Sequence, residues 1–576
     1  MQKIIKRRPA PPSLLSEPGL APLLDRIYSS RGVGHAEELE LTLQRLLRPE
    51  LKGLPEAAEI LADAVVAGAR ILIVGDFDAD GATSSALGVL ALRAMGAQYV
   101  DFLVPNRFEY GYGLTPEIVA VAAEQAPDII VTVDNGISSI DGVQAANDLG
   151  IAVVVTDHHL PGQALPAADA IVNPNQPGCS FSSKNLAGVG VIFYVMNALK
   201  KQLSDMGWFA EAGIPAPNMA NFLDLVALGT VADVVPLDAN NRILVEQGLR
   251  RIRAGVARPG ILALLEVAGR GRERLVATDL GFAIGPRLNA AGRLDDMSVG
   301  IRCLLSDDVE SARELAAELD SFNRDRKAIE SGMQREAMAM LDKLSVDDGQ
   351  DLPWGLCLYD ATWHQGVIGI LASRVKDKFH RPVIVFADAD DNTIKGSARS
   401  IPGLHIRDAL DAVAARHPHL LQKFGGHAMA AGMSIAREDY PAFAQAFDEE
   451  VKRQLSPDDL QAVLMSDGEL AANEFELELA RQLRNAGPWG QHFPEPLFDG
   501  EFYLVQQRIV GDKHLKLVLA QDAQKQQLLD AIAFNVDLSV WPDEGIERIR
   551  AAFKLDVNEF RGRESLQLML DYLEPV

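Results

Sequence analysis

From residue 70 onward, short unbroken apolar runs alternate with longer stretches of helical period. The runs at 71–74, 100–104, 129–133, 151–155 and 170–172 are short and do not alternate with polar residues, the pattern of strands buried on both faces. Between them, 84–95 places Leu87, Leu90, Ala91 and Ala94 on one helical face, and 116–124, 187–203 and 218–231 read as further helices. This alternation predicts an α/β fold with a doubly wound, mostly parallel sheet, whose ligands belong at the C-terminal ends of the strands. Residues 306–345 hold no proline and only Gly332, with apolar positions at Leu315, Leu319, Phe322, Ile329, Met333 and Leu341. They form one long connecting helix, or two broken near Gly332. After Pro353 a smaller α/β pattern follows, with strands at 355–358 and 383–386 and helices near 366–378 and 407–415. The charged segment Ser456-Pro457-Asp458-Asp459 reads as a linker. Beyond it, short alternating runs such as 515–519 and 531–534 predict a small β-barrel. The first 60 residues carry no motif and read as an arm or cap.

Length and composition narrow the class. At ~100–200 residues per domain, the 576 residues predict three or four domains, and 48% hydrophobic with 23% charged residues is the balance of a folded soluble protein. No apolar run reaches the ~18 residues of a membrane span; the longest candidate, 188–199, contains Asn197. The basic start (Lys3, Lys6, Arg7, Arg8) runs into Pro9, Pro11 and Pro12 without an apolar stretch, so no secretory signal is expected. Cys179, Cys303 and Cys357 are too widely spaced for a disulfide framework or a cysteine zinc site, and fit a reducing, cytoplasmic setting. The 80 acidic and 55 basic side chains give a net charge of −25, which argues weakly against a nucleic-acid binder. The distribution reverses that: between Arg242 and Arg274, eight arginines face three glutamates, a local charge of +5. Binding depends on the local groove rather than the net charge.

The candidate chemistry lies at the strand ends. The first strand runs into Gly75-Asp76-Phe77-Asp78-Ala79-Asp80-Gly81, and in extended chain the three carboxylates would face the same side until a turn at Gly81. The third strand ends in Val133-Asp134-Asn135-Gly136, the fourth in Thr156-Asp157-His158-His159, and a later helix in Ala232-Asp233. A single aspartate after a strand is most often a helix cap or turn former. Several at one sheet edge are another matter, because two carboxylates ~5 Å apart repel by roughly 3 kcal/mol at an effective dielectric of 20. Cations relieve that repulsion. Oxygen ligands with one or two imidazoles and no thiolate favour Mn²⁺ or Mg²⁺ over a structural zinc. Two such ions ~3.5–4 Å apart would serve hydrolysis of a phosphate ester or anhydride.

These motifs, 75–81, 133–136, 157–159 and 232–233, resemble the four motifs of the DHH phosphoesterase superfamily. Gly285-Pro286-Arg287-Leu288-Asn289-Ala290-Ala291-Gly292-Arg293 narrows the resemblance to its single-strand-specific 5′→3′ DNA exonucleases, which act in recombination and repair. Trp363-His364-Gln365-Gly366-Val367-Ile368-Gly369 and Gly425-Gly426-His427 resemble the associated DHHA1 domain. The resemblance runs from about residue 60 to the C-terminus and implies a catalytic DHH domain over 61–305, a connecting helix over 306–348, a DHHA1 domain over 349–455 and an OB-fold over 456–576. It implies two Mn²⁺ or Mg²⁺ ions held by Asp76, Asp78, Asp80, Asp134, His158 and Asp233, with Asp134 the bridge. His159 would contact the scissile phosphate, oriented by Asp157. Arg107, Ser397 and Arg399 would hold the 5′-phosphate, and Arg287, Asn289 and Arg293, in a loop of small residues, the strand beyond it. His364, Gly425, Gly426 and His427 form a substrate loop by resemblance, or blandly a turn before a helix. In the barrel, Lys513, His514, Lys516, Arg548, Arg550, Arg561 and Arg563 with Phe534 and Phe560 suit single-strand binding, unless the two phenylalanines are barrel core. The implied partners are single-stranded DNA, a single-strand-binding protein and a helicase, with no membrane, and the chain is expected to be a monomer. A DHH enzyme for short oligonucleotides would need neither this length nor the barrel, and an inactive scaffold would have eroded metal motifs.

Overall fold

A computed structural model describes the chain except residues 1, 2, 10, 12–19, 107–109, 111, 348–351, 391, 422, 539 and 544, with the backbone alone for 343–347. The chain divides into two compact units, Pro9–Asn323 with Arg481–Pro496, and Met1–Arg8 with Arg324–Ala480 and Leu497–Val576.

The first unit is built on a five-stranded, all-parallel sheet. Its strands lie in the order Tyr99–Leu103, Arg70–Gly75, Ile129–Val133, Ala152–Thr156 and Ala170–Val172. The apolar runs form these strands because both faces are covered. Leu72, Val74, Ile130, Val153 and Val155 pack with Ile118, Val119, Val143 and Ala146 of helices Pro116–Ala123 and Ile140–Asp148. On the other face, Ile73 meets Gly88 of helix Ala79–Ala94, close to Ile192 of helix Gly188–Asp205. The strand order reverses direction at Arg70–Gly75, between its neighbours Tyr99–Leu103 and Ile129–Val133. That reversal opens a crevice at the carboxyl ends of the strands, where such sheets bind ligands.

The N-terminal region is more than an arm. Helix Pro22–Ser29 buries Leu23, Ile27 and Tyr28, and the Tyr28 ring stacks at 6.1 Å on Trp489 and 6.3 Å on Phe493. Strand Ile4–Arg7, in the second unit, pairs in parallel with Val463–Ser466. Both partners lie more than 450 residues downstream in sequence, beyond the reach of any local pattern.

In the second unit, a mixed sheet runs in the order Lys423–Gly426, Ala430–Ala436, Thr393–Arg399, Val383–Asp388, Leu356–Tyr359, with a core centred on Phe386, Phe443 and Phe447. Strands Phe498–Val510, His514–Ala520, Leu528–Ala533, Arg563–Pro575 and Arg548–Phe560 pair in that order, and the last returns to the first, closing a barrel. Val309–Asp347 is one continuous helix. Gly332 does not break it; the position is half-buried, but a Cβ there would meet nothing within 4 Å, so the glycine is simply tolerated. No helix among the described residues is long and apolar enough to cross a membrane.

Candidate metal centre

Asp76 follows the strand Arg70–Gly75 and is buried. The extended alignment expected for Asp76, Asp78 and Asp80 is not kept. Asp78 instead caps helix Ala79–Ala94, its Oδ1 accepting from the N–H groups of Asp80 at 2.9 Å and Gly81 at 3.0 Å. Short acceptors are favoured at that position because they satisfy the first orphan N–H groups of a helix. Gly81 is therefore in the first helical turn, where a Cβ would come 2.3 Å from the Asp76 carbonyl oxygen. The helical turn carries Asp80 into the interior, 1% exposed. There its two oxygens accept from Gly188 N at 2.6 Å and Val189 N at 2.9 Å, the opening amides of helix Gly188–Asp205.

Asp134 leaves its strand at φ 63°, a left-handed conformation that aspartate tolerates better than most residues. Its buried Oδ1 accepts no hydrogen bond and lies 3.1 Å from His158 Nε2. The same imidazole nitrogen is 3.5 Å from Oδ2 of Asp233, the residue closing helix Leu223–Ala232. Ligand atoms within 4.8 Å of one another form three overlapping groups: Asp134, His158 and His159; Asp80, His158 and Asp233; Asp76, Asp78 and Asp134. Asp134 and His158 each belong to two, so the groups merge into one cluster.

The electrostatics of that cluster call for cations. Burial, then the Asp78 charge, pushes the Asp80 carboxyl up to about 7. Burial, then Asp80 and Asp78, holds Asp134 and Asp233 well above the usual carboxylate range. A buried acceptor without a donor, among carboxylates that resist ionising together and with no thiolate present, fits hard divalent ions such as Mn²⁺ or Mg²⁺.

Asp157 faces the histidines. Its Oδ1 accepts from His159 Nδ1 at 2.8 Å and from the backbone of His158 at 2.7 Å and His159 at 3.1 Å, while Oδ2 accepts from Ile137 N at 2.9 Å. Burial would raise its pKa, but the bond from His159 and both imidazoles outweigh it, and the net shift is downward. For His159, burial favours the neutral ring, yet the Asp157 bond and charge, with Asp76 and Asp78, raise it to about 9.

Three neighbours escaped the sequence reading. The Tyr112 hydroxyl lies 3.3 Å from the Asp134 carbonyl oxygen and 3.3 and 3.4 Å from the two His159 ring nitrogens. Its signal was a tyrosine set between Gly111 and Gly113 after a strand. Gly188 and Gly229 are close-approach glycines: a Cβ on the first would sit 2.6 Å from Asp134 Cβ, and on the second 2.8 Å from Asp80 Oδ1.

The proposed strand-binding residues fare unevenly. Arg107 lies outside the described residues. The segment of Arg287, Asn289 and Arg293 is not a loop but the helix Gly285–Leu294. Its small residues serve packing: a Cβ on Gly292 would fall 1.8 Å from the Phe77 carbonyl oxygen. Arg287 pairs with Asp320 through Nε at 2.9 Å and Nη2 at 2.8 Å, and Asn289 Oδ1 accepts from Ala79 N at 2.8 Å. Arg293 lies in the last turn of that helix, half-buried. His364 Nδ1 accepts from Gly366 N at 3.0 Å ahead of helix Ile368–Phe379.

Ser397 and Arg399 share the strand Thr393–Arg399, with Arg399 Nη1 donating to Ser397 Oγ at 3.2 Å and to the Ala398 carbonyl at 2.8 Å. Burial pulls the Arg399 pKa down and no carboxylate among the described residues counters it. Gly425 and Gly426 end the strand Lys423–Gly426, and His427 N donates to Ala430 O at 2.8 Å. That is a hairpin turn, not a turn before a helix.

In the barrel, Phe534 and Phe560 are 50% and 66% exposed, so neither is core. Arg548 and Arg550 pair with Glu501 at 2.6 and 3.0 Å and Lys516 with Asp530 at 3.3 Å, whereas Arg561 lies 5.1 Å from the Phe560 ring. The arginine-rich 242–274 stretch is largely structural. Arg258 is held by buried Asp224 at 2.7 Å, Arg250 and Arg253 by Glu246, and the Arg242 guanidinium lies 4.3 Å from the Phe493 ring.

Comparison with known proteins accords with this geometry. Residues 70–230 match the DHH family N-terminal domain, 355–453 the DHHA1 domain and 466–572 the RecJ OB domain. The single-stranded-DNA-specific exonuclease RecJ of Escherichia coli is 58% identical, over 97% of this chain and 96% of its own length. The corresponding Haemophilus influenzae protein is 52% identical over the full length of both. A crystal structure of Thermus thermophilus RecJ in complex with Mn²⁺ superimposes with a TM-score of 0.79 at 31% identity, covering 97% of this chain and 76% of that one. The same protein with Mg²⁺ gives 0.74 at 29% identity, over 97% and 75%. With its carboxylate cluster, its two appended domains and this identity along its whole length, the chain belongs to the RecJ family of single-stranded-DNA-specific exonucleases.

Proposed function

We propose that this chain hydrolyses phosphodiester bonds of single-stranded DNA, removing nucleotides from the 5′ end in recombination and repair. The observation that carries the reading is the merged cluster of Asp76, Asp78, Asp80, Asp134, His158 and Asp233, which suits two Mn²⁺ or Mg²⁺ ions. Ions bound there supply activation of the attacking water and neutralisation of charge on the phosphate oxygens. The protein's own residues do the rest. Asp134 and His158, each common to two groups of ligand atoms, would hold the ions at the centre of that cluster. Asp157 fixes the ring of His159 through Nδ1, and that ring would meet the scissile phosphate as a charged donor.

Arg399, with no carboxylate partner among the described residues, and Ser397 are proposed to hold the terminal 5′-phosphate. A guanidinium so placed offers a planar fork to phosphate oxygens. Arg107 joins that role by resemblance. Arg293, His364, Gly426 and His427 are proposed contacts to the strand beyond. Arg287 and Asn289 act there through the helix they brace as well as by any direct contact. A single-strand-binding protein and a helicase are the proposed partners that present the strand, in the cytoplasm where that DNA is met, with the chain working as a monomer.

The 5′-end pocket is tested by comparing ends. Arg399→Ala is expected to lower kcat/KM on 5′-phosphorylated single strands about tenfold or more, and much less on 5′-hydroxyl strands. Equal losses on both would reject the pocket.

A further inference from the structure

Two large apolar side chains stand exposed on segments next to the helix that delivers Asp233. Phe282 is 81% exposed and Val234 is 63% exposed. Burying a phenylalanine is worth roughly 1.5–3 kcal/mol, so a ligand that covered Phe282 would be held more tightly. Phe282 lies on the π-helical turn Leu280–Ile284, directly before the helix Gly285–Leu294. Such turns are rare and recur at functional sites. Val234 immediately follows Asp233 and adopts φ 61°. For a β-branched residue that left-handed conformation is strained by about 1–3 kcal/mol, and it persists where the surroundings demand it.

The two residues occupy one locality. Val234 N donates to the Val231 carbonyl oxygen at 3.3 Å. A Cβ on Gly281 would lie 3.8 Å from that same oxygen and 3.2 Å from Val231 Cγ1, and one on Gly285 would lie 3.2 Å from Ala232 Cβ. The π turn is therefore seated on the last turn of Leu223–Ala232, the helix that delivers Asp233. Apolar, partly aromatic side chains and a residue of the carboxylate cluster are thus carried on adjoining segments. A substrate with a phosphate backbone and flat aromatic bases matches both.

We propose that Phe282, together with Val234, is a stacking ledge for one nucleobase of the single strand close to the scissile phosphate, and so a substrate-positioning pair. The inference deepens the exonuclease reading and rests on it. Stacking on an aromatic ring is tolerant of base identity, as a non-specific nuclease requires. A base already stacked and paired in a duplex is not available to the ledge, which adds to the preference for single strands.

The test compares wild type, Phe282→Ala and Phe282→Trp on 5′-phosphorylated oligodeoxynucleotides. One substrate set is fully based, and others carry a single abasic residue at each of the first few positions. The ledge predicts that Phe282→Ala raises KM about tenfold on based strands, with kcat little changed. It predicts that Phe282→Trp restores KM. At one position, an abasic residue should slow wild type to the level of Phe282→Ala and leave that variant unaffected. Equal KM for Phe282→Ala and wild type on based strands would overturn the ledge. So would equal additional losses for both proteins at every abasic position. Wild type inactive on every single strand would instead defeat the exonuclease reading itself. Retention of the Mn²⁺-dependent rise in Tm by Phe282→Ala separates a lost contact from a misfolded variant.

Discussion

At the scale of single residues, the account turns on carboxylates crowded beyond what water would tolerate. Asp134 is buried with an acceptor that no donor serves, whereas Asp157 is buried with both oxygens fully engaged. The two should fail differently. Asp157→Asn, which loosens the hold on His159, is expected to lower kcat about 10–100-fold. Asp134→Asn should lose more than that and also weaken Mn²⁺ binding measured by calorimetry.

The same crowding makes ion-free stability depend on pH. Folded pKa values for Asp80, Asp134 and Asp233 lie above their unfolded values. The folded state therefore holds more protons than the unfolded state, and stability falls as pH rises through that window, to about 7 for Asp80. His159, raised to about 9, contributes stability below its unfolded pKa that is lost as pH climbs through 9, the same direction. Chelator-treated protein should lose Tm from pH 5 to pH 8, and Mn²⁺ should raise Tm more at pH 8 than at pH 5. An equal rise at both would contradict the cluster's electrostatics. That these side chains gather was legible in part, because Asp76 and Asp134 each directly follow an apolar strand and Asp233 closes an apolar helix. Tyr112 was not, since a tyrosine between glycines looks like any loop residue.

At the scale of elements, the site is made by backbones that approach more closely than side chains permit. The start of helix Gly188–Asp205 supplies two amides to Asp80, and Gly188 leaves space for Asp134. Gly188→Ala should therefore displace Asp134 and cut exonuclease activity at least tenfold, with Mn²⁺ affinity falling in parallel. Wild-type activity in that variant would show that the approach is not needed. The parallel strands could be read from sequence because short unbroken apolar runs report strands buried on both faces. The helix Gly285–Leu294 could not: Gly285, Pro286, Asn289 and Gly292 are poor helix formers that read as a loop, and only the close passes at Phe77 and Ala232 show why the glycines are there. The alignment of Asp76, Asp78 and Asp80 was misread for a related reason. N-capping by Asp78 outweighs continuation of the strand, and local sequence does not say where a strand yields to a helix.

At the scale of the whole molecule, charge is a poor guide to substrate. The net −25 coexists with a nuclease family's architecture, and the arginine-rich 242–274 stretch that seemed to answer it is largely bound up in ion pairs and a ring contact. Arg399, which has no carboxylate partner among the described residues, is a better candidate for holding an anion than a local surplus of arginines. The N-terminal 60 residues carried no motif and read as an arm or cap because Tyr28 and Ile4–Arg7 find partners beyond residue 460.

The most direct test follows the polarity and metal dependence of degradation together. Single strands labelled at the 5′ or the 3′ end, and their duplexes, are incubated with Mn²⁺, Mg²⁺ or chelator. The account predicts immediate release of the 5′ label as a mononucleotide, progressive shortening of the 3′-labelled strand, intact blunt duplex, and no product with chelator. Undiminished degradation in chelator, or release of the 3′ label first, would contradict it.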